Sequence, residues 1–155
     1  MDNLKQITKE ISIAGQPSPQ DIEDAHKNGF RTVVNLRTPD EPGFRADEER
    51  QVESLGLTYA SIPVSPDTLD DVAVARFSQA LESIDGTPAL VHCRSGGRAG
   101  IMTLLHLAVK HGWTVQETLE ERERMGDIAP KADSPYRSVF ETYIRAHSVG
   151  ERVKK

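Results

Sequence analysis

The stretch ALVHCRSGGRAGIMTLLHLAVKHG, residues 89–112, changes its periodicity half-way along. ALVHC (89–93) is a short apolar run of the kind that forms a strand buried on both faces. From Ile101 onward, Leu104, Leu105, Ala108 and Val109 recur at spacings of three and four, a helical stripe that Gly112 closes. Between strand and helix lies only a tight loop with two glycines, Gly96 and Gly97. Such a turn lets successive backbone N–H groups point into one concavity at the positive end of the helix dipole, a setting that suits an anion.

The rest of the chain repeats this alternation. ISIA (11–14), TVVNL (32–36) and LTYASIPV (57–64) are rich in Val, Ile, Leu, Thr and Tyr and are bounded by turn residues, as strands are. Ser18 and Pro19 read as the N-cap and first residue of a helix with Asp21 in its first turn and Gly29 as its stop. Residues 44–55 form a second helical segment between Pro42-Gly43 and Gly56, and Val74, Phe77, Leu81 and Ile84 make the stripe of a third, ended by Asp85-Gly86. Thr114 with Glu117 is a capping box, and Ser134-Pro135 opens a last helix with Val139, Phe140, Tyr143 and Ile144 on its inner side. Strands alternating with helices imply parallel neighbours joined by right-handed crossovers. The expected fold class is therefore α/β, a mostly parallel four- to five-stranded sheet flanked by helices, with the site at the carboxyl ends of the strands. One domain spanning 1–155 is expected, with its core at about 10–147 and a basic tail, ERVKK.

Composition narrows the function. Hydrophobic residues make up 37% and charged residues 28%, as in ordinary water-soluble domains, and no apolar run approaches the roughly 20 residues of a membrane helix. The opening MDNLKQITKE lacks the apolar stretch of a secretory signal, so a cytoplasmic location is expected. A net charge of −5 argues against a nucleic-acid partner. Cys93 is the sole cysteine, which excludes an internal disulfide and a multi-cysteine zinc site and leaves a free thiol suited to a reducing compartment. Nothing in the sequence sets an oligomeric state.

Cys93 sits at the mouth of the proposed concavity, where the loop amides and helix dipole favour thiolate over thiol and so favour a nucleophile. Arg98 is spaced to return a planar fork to the loop, matched to two oxygens of a phosphoryl group gaining charge in the transition state. Arg94, Ser95, Gly96, Gly97, Arg98 and Ala99 are the candidate phosphate-binding residues. A buried inert thiol is the common fate of a lone cysteine, but it leaves Gly96, Gly97 and Arg98 unexplained.

VHCRSGGRAG resembles the signature loop of the protein tyrosine and dual-specificity phosphatases. The wider pattern AGQPSPQD (14–21), GFRTVVNLR (29–37), IPVSPDT (62–68) and VHCRSGGR (91–98) is similar to the bacterial phosphatase-like family named after beta-lactamase hydrolase. The resemblance covers roughly residues 10–128 and implies a dual-specificity-phosphatase-like fold, a phosphocysteine intermediate, no cofactor or metal, and a phosphorylated protein or small phosphoester as substrate. It also implies that His92 arranges the loop through hydrogen bonds and that Asp67, in IPVSPDT, is the general acid. Two departures stand out. Four residues separate Cys93 from Arg98 where the phosphatase loop has five, a spacing shared with rhodanese-type sulfurtransferases. Ala99 replaces the Ser or Thr that helps expel the thiolate, a task left to Ser95 if it is done at all.

Phosphoester cleavage needs a proton for the leaving oxygen, which a carboxylic acid on a loop can supply. Asp67 is the first candidate, with an N-cap for the following helix as the competing role, and Asp70, Asp71 and Asp127 are alternatives. Arg37 ends a strand and is expected to pair with Asp40 or Glu41 rather than touch substrate. His26, His106, His111 and His147 read as surface or helix-face residues. The reactions consistent with these residues are phosphomonoester hydrolysis, persulfide sulfur transfer through Cys93, and phosphate binding without catalysis.

Overall fold

The computed structural model describes residues 1, 4–82, 86–126 and 134–147. It holds five strands, β1 (Lys5–Gln6), β2 (Ile11–Ala14), β3 (Thr32–Asn35), β4 (Thr58–Ser61) and β5 (Ala89–His92), in the sheet order β1-β2-β5-β3-β4. The four predicted strands are β2 to β5, and they run parallel. The two-residue β1 pairs antiparallel with β2 and covers one edge; Lys-Gln carries no apolar alternation that announces it. Every residue of β2, β3 and β5 is buried, which explains why these strands read as continuous apolar runs.

Three helices connect the strands: α1 (Pro19–Lys27), α2 (Glu48–Ser54) and α3 (Asp71–Glu82). The path from β2 through α1 to β3, and through α2 to β4, steps toward one edge, whereas α3 returns the chain to β5 in the middle. Right-handed crossovers then put α1 and α2 on one face and α3 on the other. Side chains agree with this: Ile22 of α1 and Val52 of α2 pack with Val33 and Leu57, and Ala25 packs with Ala14 and Leu90. Each of the buried Ile, Val and Leu side chains contributes about 1.5–3 kcal/mol. The α1 start is as read, with Ser18 accepting from the Asp21 N–H and Asp21 answering to the Ser18 N–H. The second helix is shorter than the predicted 44–55, because residues 44 and 45 are irregular and 46 and 47 form a turn before it. Ala73, Val74, Phe77 and Leu81 are the buried face of α3; Ile84 and Asp85 lie outside the described residues.

Contacts group the chain into two compact units, Met1–Ala99 and Gly100–Lys155, and α4 (Gly97–His111) runs from one into the other. In α4 every residue from Ala99 to Ala108 is buried, so this helix is enclosed around its circumference rather than along one stripe. Two expectations change accordingly. Val109, placed on the stripe, is exposed at 40%, and His106, read as a helix-face residue, is buried. Thr114 forms the predicted capping box at the start of α5 (Val115–Arg124), and α5 packs against α6 (Tyr136–His147), where Phe140 and Ile144 are buried. Asp127 and the ERVKK tail lie outside the described residues.

Candidate active site

The reversal of strand order brings the carboxyl ends of β5 and β3 side by side, the position at which open α/β sheets hold ligands. Beyond β5 the ladder continues for one residue, as the Cys93 N–H donates to the Ala14 carbonyl at 3.3 Å. Cys93 is buried, with 1% of its surface exposed. The chain then turns at Gly96, whose φ of +104° is closed to most side chains, and the Gly96 N–H comes back to Cys93 Sγ at 3.1 Å. Gly97, the first residue of α4, has no heavy atom within 4 Å of where a Cβ would stand, so only the first of the two glycines is needed for the turn. Arg94 and Ser95 are exposed, and Ala99 is buried behind the loop.

The Arg98 side chain meets Glu41. Its Nη1 donates to Oε2 at 2.6 Å and its Nη2 to Oε1 at 2.7 Å, a fork-on-carboxylate pair. Nη1 also reaches the carbonyls of Leu36 at 3.4 Å and Val64 at 3.2 Å, tying the loops after β3 and β4 to the same guanidinium. Glu41 accepts further from the Thr38 N–H at 2.6 Å. The hydrogen bonds from Arg98 and Thr38 outweigh partial burial and hold the Glu41 carboxyl far below the usual carboxylate range.

Arg37 pairs with Glu41, one of its two expected partners, through Nε at 3.3 Å. It is nearly fully buried and also donates to the carbonyls of Pro42 and Gly43, so it belongs to the scaffold. Its Nη1 donates to Gln16 Oε1 at 2.7 Å, Gln16 Nε2 donates to Glu48 Oε1 at 2.7 Å, and Glu48 Oε2 lies 2.6 Å from His92 Nε2. Glu48 and His92 are both fully buried. His92 Nδ1 faces the Cys93 carbonyl at 3.3 Å.

The loop after β4 carries Asp67 in a turn closed by Ser65 and Thr68, with Asp67 itself exposed. The N-cap role weighed for Asp67 belongs to Asp70, whose Oδ1 accepts from the Ala73 N–H at 2.9 Å while its carbonyl accepts from Val74. Asp71 is the first residue of α3.

Sequence reading gave no site role to Gln16 or Glu48 and named Glu41 only as a partner for Arg37. Glu41 had a signal in its i,i+4 spacing from Arg37. Glu48 stands four residues before the buried Val52, which puts a carboxylate on the inner face of α2. Gln16 had none beyond its place directly after β2.

The family model described as "Beta-lactamase hydrolase-like protein, phosphatase-like domain" matches residues 3–112. The chain belongs to this family. A beta-lactamase hydrolase-like protein of Xylella fastidiosa is 32% identical over 97 residues, 60% of this chain but 22% of that protein. The Pseudomonas aeruginosa dual specificity protein phosphatase TpbA is 26% identical over 126 residues, 80% of this chain and 55% of TpbA. The chain thus spans about a fifth of its beta-lactamase hydrolase-like relative and about half of TpbA. Among solved structures, a Shewanella putrefaciens protein of the DUF442 group superposes with a TM-score of 0.76 at 23% identity, covering 96% of this chain and 94% of that one. TpbA in complex with phosphotyrosine gives 0.68 at 22% identity, covering 98% and 89%. The beta-lactamase hydrolase-like family and these structures share the α/β fold described above. No helix among the described residues is long and apolar enough to cross a membrane.

Proposed function

We propose that the chain is a cysteine-dependent phosphatase that hydrolyses phosphomonoesters, of the phosphotyrosine type, in a reducing, cytoplasmic setting. The observation that carries this reading is the loop itself: a cysteine at the end of the central strand, an amide folded back onto its sulfur, and, five residues on, an arginine gripped by the Glu41 carboxylate. Membership of a phosphatase-like family and the phosphotyrosine bound by TpbA support the substrate class.

The Cys93 thiolate attacks phosphorus, and the S–P bond forms as the bond to the leaving oxygen breaks. Asp67 gives that oxygen its proton, then takes one from the water that attacks the phosphocysteine and releases inorganic phosphate and the thiolate. Arg98, with its guanidinium forked onto Glu41, is the group that stabilises the phosphoryl oxygens as they gain charge. Release of the capping role to Asp70 supports Asp67 as the acid.

Sulfur transfer is the second reading, favoured by the four-residue spacing between Cys93 and Arg98. One preparation assayed on p-nitrophenyl phosphate and on thiosulfate with cyanide separates the two. Phosphate release that disappears in Cys93→Ser, and exceeds thiocyanate formation, is the expected result; the reverse ranking overturns the phosphatase reading. Asp67→Asn is expected to lower kcat about 10²–10⁴-fold on an ester with a poor leaving group and much less on p-nitrophenyl phosphate. A kcat within about twofold of wild type on the poor-leaving-group ester would reject Asp67 as the acid, the twofold margin being small against a general acid's contribution.

A further inference from the structure

The proton arrangement under the nucleophile loop follows from what each neighbour of His92 can accept. The Cys93 carbonyl is only an acceptor, so a hydrogen bond to it at 3.3 Å requires the proton on Nδ1. With Nδ1 protonated, neutral His92 has a lone pair on Nε2, and the 2.6 Å contact to Glu48 Oε2 is made by one proton shared between that nitrogen and the carboxylate. The other Glu48 oxygen accepts from Gln16 Nε2, whose own oxygen is taken by Arg37, so the Gln16 amide can be oriented only one way. Glu48 is thereby held to His92 from behind.

The consequence reaches the loop through peptide geometry. In a trans peptide the carbonyl and the following N–H point in opposite directions. His92 Nδ1 anchors the Cys93 carbonyl, which turns the Arg94 N–H away from that anchor. The backbone N–H of Gln16 anchors the Arg94 carbonyl at 3.1 Å, which does the same for the Ser95 N–H. Two successive carbonyls fixed from outside leave two successive amides aimed the other way, the arrangement that makes an anion nest. Both anchors depend on the pair Gln16 and Glu48, and through Arg37 and Glu41 the same chain of hydrogen bonds ends on Arg98.

We infer that Glu48 and Gln16 are positioning residues: they keep the Nδ1 proton on His92 and so set the aim of the oxyanion-binding amides of the Cys93 loop. The inference rests on reading that loop as an oxyanion cradle, but not on which reaction the cradle serves.

The test begins with the wild-type chain and needs no turnover. Imidazole ¹⁵N shifts of His92 are expected to show a protonated Nδ1 at neutral pH; a neutral ring protonated only at Nε2 overturns the inference. Inorganic phosphate affinity is then measured by titration for wild type, Glu48→Met and Glu48→Gln. Glu48→Met, which cannot bond Nε2, is expected to weaken phosphate binding about tenfold or more, equivalent to about 1.4 kcal/mol. Glu48→Gln, whose amide can donate to Nε2 and accept from Gln16, is expected to stay within about threefold of wild type, well short of that tenfold loss. A merely structural Glu48 would lower the melting temperature of the folded Met variant and leave its phosphate affinity unchanged, and that outcome also overturns the inference. If Glu48→Met does not fold, the ¹⁵N result and the phosphate affinity of Glu48→Gln decide: loss of binding in folded Glu48→Gln rejects the role. Should wild type itself bind no phosphate, the cradle reading fails separately, and the ¹⁵N spectrum still decides where the proton lies.

Discussion

At the scale of single residues, Glu41 deserves as much weight as the cysteine it never touches. Its two oxygens serve Arg98, Arg37 and the Thr38 amide together, so removing its charge leaves two guanidinium groups facing each other. Glu41→Gln is expected to destabilise the fold by about 1–3 kcal/mol, as loss of a charged hydrogen-bond partner does. It should also lower kcat/KM by freeing Arg98 from its orientation, measured alongside urea unfolding. The sign of the pH dependence follows from the depressed carboxyl. Its stabilisation is fully present above the ordinary carboxylate range and is lost only as pH falls through its much lower value in the folded chain. The stability gap between wild type and Glu41→Gln is therefore expected to stay constant from pH 8 to pH 5 and to close only in stronger acid, which unfolding curves across that range check. Cys93 and Arg98 were legible because a loop motif concentrates them in six residues. The bond from Glu41 to Arg98 and the roles of Glu48 and Gln16 were not, because the partners lie far along the chain: Arg98 is 57 positions from Glu41, and His92 is 44 from Glu48.

At the scale of elements, punctuation was the most readable feature. Ser18 and Thr114 cap α1 and α5 as their sequences imply, since a capping box is a local device complete within four residues. The start of α3 was ambiguous because Asp67, Asp70 and Asp71 crowd one turn, and only the hydrogen bond to Ala73 separates them. Asp70→Ala is accordingly expected to cost about 1 kcal/mol in thermal or denaturant unfolding, whereas Asp67→Ala should leave stability within a few tenths. Equal losses from the two would return the cap to a shared role. The burial of α4 was misjudged at Val109 and His106 for a physical reason: a helix enclosed around most of its circumference does not confine its apolar residues to one stripe.

At the scale of the whole molecule, parallel order was legible from the alternation of strands and helices, but the placing of β5 between β2 and β3 was not. Local pattern fixes strand existence and leaves neighbour order open. The central strand is hydrogen-bonded on both sides, whereas β1 is a two-residue edge. Backbone amides of β5 are therefore expected to be among the slowest to exchange with deuterium and those of β1 among the fastest, a ranking that mass spectrometry or NMR measures directly. Comparable protection of the two would contradict the central placement. That placement also has a bearing on how the protein is made. Ile11 pairs with Ala89 and Thr32 with the same residue from the other side, so β2 and β3 have no hydrogen-bonded link across the sheet until β5 arrives. In the folded sheet the place between β2 and β3 is filled by the segment that ends in the cysteine. Late, non-local closure of this kind slows folding. The thiol thus acquires its shelter in the same event that completes the sheet.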